Sequence, residues 1–439
     1  MRAGTASQHE RLMRLFRRNA DRSAEAGLTG IHFSGVGDGS SLEIDGRLVA
    51  NFGSCSYLGL AVDERLKEGA KAAIDRFGAL YSSSQAYAAV DLYEELEELM
   101  MRMTDAAGVV LPPTTTLGHL SILPTLVGDG DALALDAHSH ASLQLTVQVL
   151  AGRGIPIHPI QHDDKGALES TIDELASSHR RVWYVADGVY SMFGDLAPLP
   201  TISGLMEQHQ NLHLYLDDAH GFSWLGRHGR GYVLSEMPWS ERLVVAVGLA
   251  KSFGSGGGAL FFGDADRART VRALGGPMTF AGPIHPPTLG AAVASAKIHL
   301  SPEHVEMRRR MSAQIDLVAT QMARHRLPVV SWARTPIWLV RVGDFDRVLE
   351  IARRMLVDGF YLNVSAFPAV PVGQAGLRFT HTLRNTDDQI VDMLERLAHH
   401  LREVVGDIDS MVDLDEFEMP GDDKPDPDGS ESARGSAQP

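Results

Sequence analysis

The chain has 439 residues, 44% of them hydrophobic and 22% charged, a composition typical of a globular protein with room for one large and one small domain. Its net charge of −16 argues against nucleic acid as a partner, and no apolar run approaches the ~18 residues of a membrane-spanning helix. The one cysteine, Cys55, excludes a disulfide within the chain and a cysteine-based metal cluster, and it favours a cytoplasmic location.

The first 55 residues are predicted to form an arm that precedes the main domain. Residues 11–26 have the charge spacing of a helix, and residues 41–52 indicate two short strands around the turn signal Asp45-Gly46. From residue 56 to 300, helical patterns alternate with short apolar strands such as VWYVAD, LHLYLD and LVVAVG. Buried strands separated by helices predict an α/β domain built on a mostly parallel sheet.

The pattern changes after Pro302. A long helix is predicted at 303–326, followed by a strand at 337–342, a helix at 345–358, a strand at 377–382 and a helix at 386–405. These elements indicate a smaller α/β domain over residues 301–406. Residues 407–439 are acidic and rich in proline, glycine and serine, so we expect a disordered tail, with an acidic interaction segment as the alternative.

Charged side chains follow two of the apolar strands of the main domain. The strand LHLYL runs into Asp217, Asp218 and His220, and the strand LVVAVGLA is predicted to end at Lys251, before a glycine-rich stretch. Ligands of α/β sheets bind at the carboxyl ends of strands, where these residues fall. A lysine that closes an apolar strand is desolvated, which favours the neutral amine that attacks a carbonyl.

Each of these residues has an ordinary reading when taken alone, as a helix cap or a solvated strand end. Together they match what pyridoxal phosphate needs from a protein. Asp217 supplies a carboxylate that holds a pyridinium proton, His220 is a nearby hydrogen-bonding group, and Lys251 is the Schiff-base lysine. The sequence therefore predicts a pyridoxal-phosphate enzyme.

Seven segments over residues 51–405 occur in the order found in one family. They are NFGSCSYLGL, LYEELE, DAHSHASL, DGVYSMFGDLAPL, DDAHGFSWLGRHGRGY, AKSFGSGGG and GLRFTHTLRNTDDQI. On these segments the chain resembles the α-oxoamine synthase family of fold-type I pyridoxal-phosphate enzymes. The resemblance implies a large cofactor-binding domain at 56–300, with a mostly parallel seven-stranded sheet, and a small domain at 301–406.

The resemblance also assigns roles to side chains. Lys251 would carry the cofactor, Asp217 would hold its ring nitrogen and His220 its phenolic oxygen. His140 would stack on the ring, and Ser191 would lie near the substrate or the phenolic oxygen. The catalytic residues implied are therefore Lys251, His140, Asp217 and His220. Arg378 would bind the carboxylate of the amino acid. No metal ligands are predicted.

Several positions depart from the family's pattern. Thr114, Thr115 and Thr116 stand where the family has a glycine-rich turn, so we expect their hydroxyls and the following helix to bind the cofactor phosphate. Gly248 replaces a serine or threonine, and Ser56, in a segment that helps to define the substrate pockets, replaces an asparagine. These departures favour a divergent biosynthetic member over an enzyme of biotin, haem or threonine metabolism.

The reaction implied by the resemblance joins a small amino acid to an acyl thioester of coenzyme A or of a carrier protein, with loss of the thiol and CO2. A homodimer with shared active sites is implied too, with residues 280–287 reaching the partner's site. Transamination or aldol cleavage on the same fold, or a non-catalytic scaffold, are the alternatives. Phe193, Trp224 and Met278 could line an acyl channel or belong to the core.

Overall fold

The computed structural model describes residues 8–412 of the chain, so most of the acidic tail predicted at 407–439 lies outside the described residues. The helices are α1 Gln8–Glu25, α2 Glu64–Phe77, α3 Leu92–Thr104, α4 Thr115–Leu126, α5 Ala141–Gly152, α6 Lys165–Ser178, α7 Leu199–Gln208, α8 Tyr232–Glu236, α9 Ala265–Leu274, α10 Gly276–Phe280, α11 Pro286–His299, α12 Glu303–Arg324, α13 Phe345–Val357 and α14 Asp387–Val405. Within residues 8–412, no helix combines the length and the apolarity needed to cross a membrane.

The strands are β1 Ser41–Ile44, β2 Arg47–Asn51, β3 Gly108–Val110, β4 Asp131–Asp136, β5 Ile157–Ile160, β6 Arg181–Asp187, β7 Leu212–Asp217, β8 Leu243–Gly248, β9 Gly258–Phe262, β10 Ile337–Gly343, β11 Phe360–Tyr361, β12 Asn363–Ser365 and β13 Ala375–Thr380. Seven of them form one sheet in the order β3-β9-β8-β7-β6-β4-β5. The strands β5, β4, β6, β7 and β8 are mutually parallel. Strand β9 is the one reversed strand of this sheet, antiparallel to β8 on one side and to β3 on the other. The predicted fold class, with its mostly parallel seven-stranded sheet, is confirmed.

Both faces of this sheet are covered, which is why its strands are apolar throughout rather than alternating. In β7, Leu214 and Leu216 belong to the core on one face, and Tyr215 between them belongs to the core on the other face. All six residues of β7 are buried, as are those of β4 and β8. Side chains at the carboxyl edge of the sheet are therefore attached to strands whose residues are fully buried.

Three parallel strands end in an aspartate at that edge. Asp136 closes β4, Asp187 closes β6 and Asp217 closes β7, and Asp187 and Asp217 are partners in register. The neighbouring strand β8 ends at Gly248, so the expectation that this strand ends at Lys251 is wrong. Gly258 pairs with Gly248 when the chain returns as β9, and Lys251 lies in the tight connection between them.

A smaller antiparallel sheet, in the order β10-β13-β12, carries the C-terminal part of the chain and packs against α13. The predicted hairpin is present: Ile44 pairs with Arg47, and Asp45 and Gly46 have the positive φ of a type I′ turn. Strand β2 pairs with β11, so this hairpin is joined to the C-terminal part. The division of the chain at residues 55, 300 and 406 stays a prediction.

Helices α2 and α11 meet with their backbones in close contact at a pair of glycines. A Cβ atom on Gly69 would come within 2.5 Å of the Gly290 carbonyl oxygen. Gly69→Ala is therefore expected to lower the free energy of unfolding by about 1–3 kcal/mol, because the two helices must separate.

Gly204 is the matched control, since it lies inside α7 with nothing within 4 Å of the position of its Cβ. Gly204→Ala is expected to raise the free energy of unfolding by about 0.5–1 kcal/mol, because alanine has the better helix propensity. Urea unfolding of both variants measures the difference. Equal effects of the two substitutions would contradict the close contact.

Candidate active site

A cavity of about 200 Å³ opens at the carboxyl edge of the large sheet. Side chains from five elements or their connections meet there, most of them polar. The lining residues are Thr114, Thr115, Thr116, His140, Ser142, Asp187, Val189, Asp217, Ala219, His220, Ala250, Lys251 and Gly257. The structure thus brings together all four predicted catalytic residues and the three threonines.

Lys251 contributes an amine to the cavity wall. Among the residues that the structure describes, this amine has no hydrogen-bond or ion-pair partner. A Cβ atom at Gly248 would lie 3.3 Å from both the Lys251 amine and the Thr115 hydroxyl. Glycine at position 248 therefore leaves room for the amine beside α4, which is a physical reason for this departure from the family's pattern.

The Asp217 carboxylate is 6% exposed and is held from two sides. Its Oδ1 accepts the Ala219 N–H at 3.0 Å, and its Oδ2 lies 3.1 Å from Nε2 of His119. Burial by itself raises the pKa of Asp217, but the hydrogen bond from His119 and the nearby charge of Lys251 lower it to about 2. Asp217 is therefore an anion that can pair with a protonated ring nitrogen.

His220 is a buried residue of the cavity wall and is oriented by Tyr57. The Tyr57 hydroxyl lies 2.7 Å from Nδ1 of His220, and the Trp224 indole N–H donates to the His220 carbonyl at 2.7 Å. Burial and the nearby Lys251 lower the pKa of His220 well below its ordinary value, so the ring is neutral. With the tyrosine hydroxyl donating to Nδ1, the proton of this ring sits on Nε2.

His140 stands at the start of α5, exposed at the cavity wall. Its Nδ1 accepts the Ser142 N–H, and its backbone N–H donates to Asp187 at 3.0 Å. Burial and the adjacent Asp217 raise the pKa of Asp187 well above its ordinary value. The neutral form of Asp187 is thus favoured beside the Asp217 anion, and its Oδ1 anchors the backbone that carries His140.

The start of α4 forms the opposite wall. The Thr114 hydroxyl caps the helix by accepting the Leu117 N–H at 3.1 Å, and the Thr115 hydroxyl donates to the Val247 carbonyl at 3.3 Å. A Cβ atom at Gly258 would come within 2.9 Å of the Thr115 nitrogen, so β9 lies tightly against this turn. Free N–H groups and hydroxyls at a helix N-terminus are a favourable site for a phosphate.

Arg378, in β13, is 6% exposed and has few partners for a buried guanidinium. Its Nε donates to the Ser191 carbonyl at 2.8 Å, and an Nη lies 3.9 Å from the Cys55 sulfur. Ser191 is therefore placed beside Arg378 and not on the cavity wall, and its contact with the cofactor stays a prediction. The Ser56 hydroxyl, two residues before Leu58, is buried and has no partner among residues 8–412.

The chain is similar to known proteins over most of its length. The aminotransferase class I and II family matches residues 48–397. The 8-amino-7-oxononanoate synthase of Symbiobacterium thermophilum is 31% identical over 369 residues, which are 82% of this chain and 90% of that protein. The 8-amino-7-oxononanoate synthase of Aromatoleum aromaticum is 33% identical over 370 residues, which are 82% of this chain and 89% of that protein. The chain belongs to the α-oxoamine synthase family.

Solved structures support the fold of this α-oxoamine synthase family member. The serine palmitoyltransferase of Sphingomonas wittichii superposes with a TM-score of 0.81 at 22% identity, covering 91% of this chain and 99% of that one. The 8-amino-7-oxononanoate synthase of Francisella tularensis superposes with a TM-score of 0.69 at 20% identity, covering 81% of this chain and 98% of that one. The family predicted from the sequence motifs is confirmed, and with it the use of pyridoxal phosphate.

The residues of the cavity fit this cofactor. An unpaired amine, a buried anion and a neutral imidazole N–H are the groups that an aldehyde, a pyridinium and a phenolic oxygen require. The helix N-terminus with its threonines suits the phosphate. In this family member Lys251, Asp217, His220 and the start of α4 would therefore hold the cofactor, with His140 against its ring.

Other polar residues of the site were not singled out from the sequence. Tyr57 and Asp187 lie inside motifs that were recognised, and their motif positions could have marked them. His119, which contacts Asp217, lies four residues inside α4, and only the packing of α4 against the sheet reveals it. Phe193, Trp224 and Met278 belong to three separate hydrophobic clusters, so the structure does not bring them together in one channel.

A histidine cluster braces the turn that contains Ser191. His162 lies 2.6 Å from Asp195 and 3.1 Å from Asp136, and its ring stacks on His138 at 4.1 Å. Burial lowers the pKa of His162, but its bonds to the two carboxylates outweigh burial and raise the pKa to about 10. The protonated ring therefore ties the end of β4 to the turn at residues 190–195.

This ion cluster predicts a pH-dependent contribution to stability. The folded pKa of His162 is raised above its ordinary value of 6.5, so its contribution is complete below pH 6.5 and is lost as the pH rises towards about 10. The difference in unfolding free energy between wild type and His162→Gln should fall by at most about 1.4 kcal/mol per pH unit. Urea unfolding between these limits measures it, with the exposed His399→Gln as the control. A pH-independent difference would contradict this ion cluster.

Proposed function

We propose that this chain condenses a small amino acid with an acyl thioester in a biosynthetic pathway, releasing the thiol and CO2 and forming an α-amino ketone. The observation that carries the proposal is the meeting of Lys251, Asp217 and His220 at one cavity, in a chain that belongs to the α-oxoamine synthase family. Serine palmitoyltransferase and 8-amino-7-oxononanoate synthase are the names of its structural neighbours, and the amino acid and acyl group of this chain are left to experiment.

The bound cofactor supplies an electron sink that stabilises negative charge at the amino-acid Cα. Asp217 would hold a proton at the ring nitrogen, and His220 would donate its Nε2–H to the phenolic oxygen. His140 would lie against the ring, and the turn at Thr114, Thr115 and Thr116 would bind the phosphate. These contacts fix the plane in which charge develops, so that the protein reorganises little during the reaction.

Lys251 has two tasks in this proposal. Its amine would hold the cofactor, and from the cavity wall the same amine would accept the Cα proton of the bound amino acid. Within the described chain this amine has no hydrogen-bond or ion-pair partner to break, which leaves it free for both tasks.

Arg378 binds the carboxylate of the amino acid. A buried guanidinium with one ordinary hydrogen bond has N–H groups left to form a bidentate pair, and it is close enough to Tyr57 and His220 to affect the pKa of both. Ser56, whose buried hydroxyl has no partner among the described residues, is a further contact for the substrate.

The first test is the visible spectrum of the protein with added pyridoxal phosphate. The wild type should show a borohydride-reducible band that glycine, alanine or serine perturbs, and Lys251→Ala should lack it. Lys297→Ala, which changes an exposed lysine of α11, should keep the band. Release of thiol and CO2 on adding an acyl thioester completes the test. A pyridoxamine-type spectrum with amino acid alone would favour transamination, and no band at all would favour a scaffold.

The carboxylate role of Arg378 makes a second prediction. Arg378→Lys keeps the charge but loses the bidentate geometry, so KM for the amino acid should rise by about tenfold or more, with a smaller change in kcat. Steady-state rates at saturating acyl thioester measure this effect. Arg341→Lys, on the exposed face of β10, is the control and should leave KM unchanged. An unchanged KM in Arg378→Lys would remove Arg378 from the substrate site.

A homodimer is also proposed. Three large apolar side chains are exposed: Tyr87 by 86%, Leu274 by 70% and Phe280 by 89%. Residues close to them in the chain, from 85–97 and from 269–278, line one surface cavity. Large apolar side chains grouped in this way are typical of an interface. Sedimentation should give a dimer for the wild type and a monomer for Phe280→Asp, and a wild-type monomer would refute the proposed dimer.

A cytoplasmic location, which the single cysteine favours, also stays a prediction.

A further inference from the structure

A histidine and a tyrosine lie behind Asp217, on the side away from the cavity. His119 and Tyr215 are both 0% exposed, and neither lines the cavity. Nε2 of His119 lies 3.1 Å from Asp217 Oδ2, and Nδ1 lies 2.6 Å from the Tyr215 hydroxyl. The two rings meet edge to face, with their centroids 5.6 Å apart. A buried chain of hydrogen bonds thus runs from Tyr215 through His119 to the carboxylate.

The partners settle where the protons lie. A carboxylate accepts hydrogen bonds and does not donate them, so Nε2 of His119 must carry the proton that reaches Asp217. In the neutral ring Nδ1 is then the acceptor, and the Tyr215 hydroxyl, whose pKa is raised well above its ordinary value by burial, is its donor. Tyr215 therefore selects the tautomer of His119, just as Tyr57 does for His220.

The bond restricts the direction in which Asp217 can act. Oδ1 accepts the Ala219 N–H and Oδ2 accepts the His119 N–H, so each oxygen keeps one lone-pair site. Rotation of the carboxylate would break both bonds, because each donor is held in a buried element. The free sites of Asp217 are thus held towards the cavity that it lines.

Some groups close to Asp217 favour its ionised form and others disfavour it. Asp187 and Asp218 are buried carboxyls near it, and burial itself disfavours its ionised form. The charge of Lys251 also favours the anion, but in the holoenzyme this amine would be bonded to the cofactor. His140 interacts with Asp217 across the cavity. His119 is therefore the side-chain donor that still supports the anion when the cofactor is bound.

We propose that His119, oriented by Tyr215, is a positioning residue that keeps Asp217 ionised and aimed at the cofactor ring nitrogen, so that this nitrogen stays protonated. The inference rests on the proposed function. It extends the catalytic machinery to a residue of α4 that touches neither substrate nor cofactor.

The test uses ¹⁵N-labelled pyridoxal phosphate, whose ring-nitrogen chemical shift in the holoenzyme distinguishes pyridinium from pyridine. The wild type should show a pyridinium, and His119→Leu should shift the signal towards pyridine. His119→Gln places an amide N–H near the position of Nε2 and should restore the pyridinium. Tyr215→Phe, which removes one hydroxyl and changes little else, should shift the signal in the same direction as His119→Leu but less.

Cofactor affinity provides a second readout. His119→Leu should weaken binding of pyridoxal phosphate by at least about tenfold, and Tyr215→Phe by about two- to tenfold. Neither change should alter the affinity for the 1-deaza analogue, which has carbon in place of the ring nitrogen. This comparison separates a loss of the nitrogen contact from general damage to the fold, which would weaken both cofactors equally.

The possible outcomes are distinct. A pyridinium in correctly folded His119→Leu, or equal weakening of the two cofactors in Tyr215→Phe, would overturn the role of His119 while the proposed function stands. A wild type without a reducible band would overturn the proposed function, and this inference with it. A pyridine signal in His119→Leu with rescue by His119→Gln would establish the positioning role.

Discussion

The arrangement of the site follows from one constraint, the burial of an ionised Asp217 at the end of β7. A charge in this position is costly unless hydrogen bonds and opposite charges compensate it. The compensation comes from three places: the Ala219 amide, the His119 ring and the Lys251 amine. Because β7 is buried on both faces, these partners can approach only from the carboxyl edge and from α4.

Neutral groups surround this anion, and their neutrality has structural causes. Asp187 is one strand away in register with Asp217, and two adjacent buried carboxylates cannot both ionise at low cost. His220 is neutral because it is buried near Lys251. The site therefore places the Asp217 anion beside the Lys251 amine and the neutral His220, with the Arg378 guanidinium close to His220.

Both tyrosine–histidine pairs serve this arrangement from opposite sides. Tyr57 comes from the segment after the N-terminal hairpin and sets the proton of His220, whereas Tyr215 lies in β7 itself and sets that of His119. Each pair fixes a tautomer by the hydroxyl of a buried tyrosine that does not line the cavity. The chain thus uses buried hydroxyls to specify proton positions that a solvated histidine would leave undetermined.

The sequence by itself determined the fold class, the family and the position of Asp217 at the end of its strand. Apolar runs and the positions of Asp217, His220 and Lys251 are local in the chain, and an aspartate after a buried strand must lie at the sheet edge. Only the tertiary structure decided that the strand before Lys251 ends at Gly248, that Ser191 turns its carbonyl to Arg378, and that His119 reaches Asp217. These contacts join residues 98 to 187 positions apart, and their geometry depends on how helices and strands pack, which no local pattern encodes.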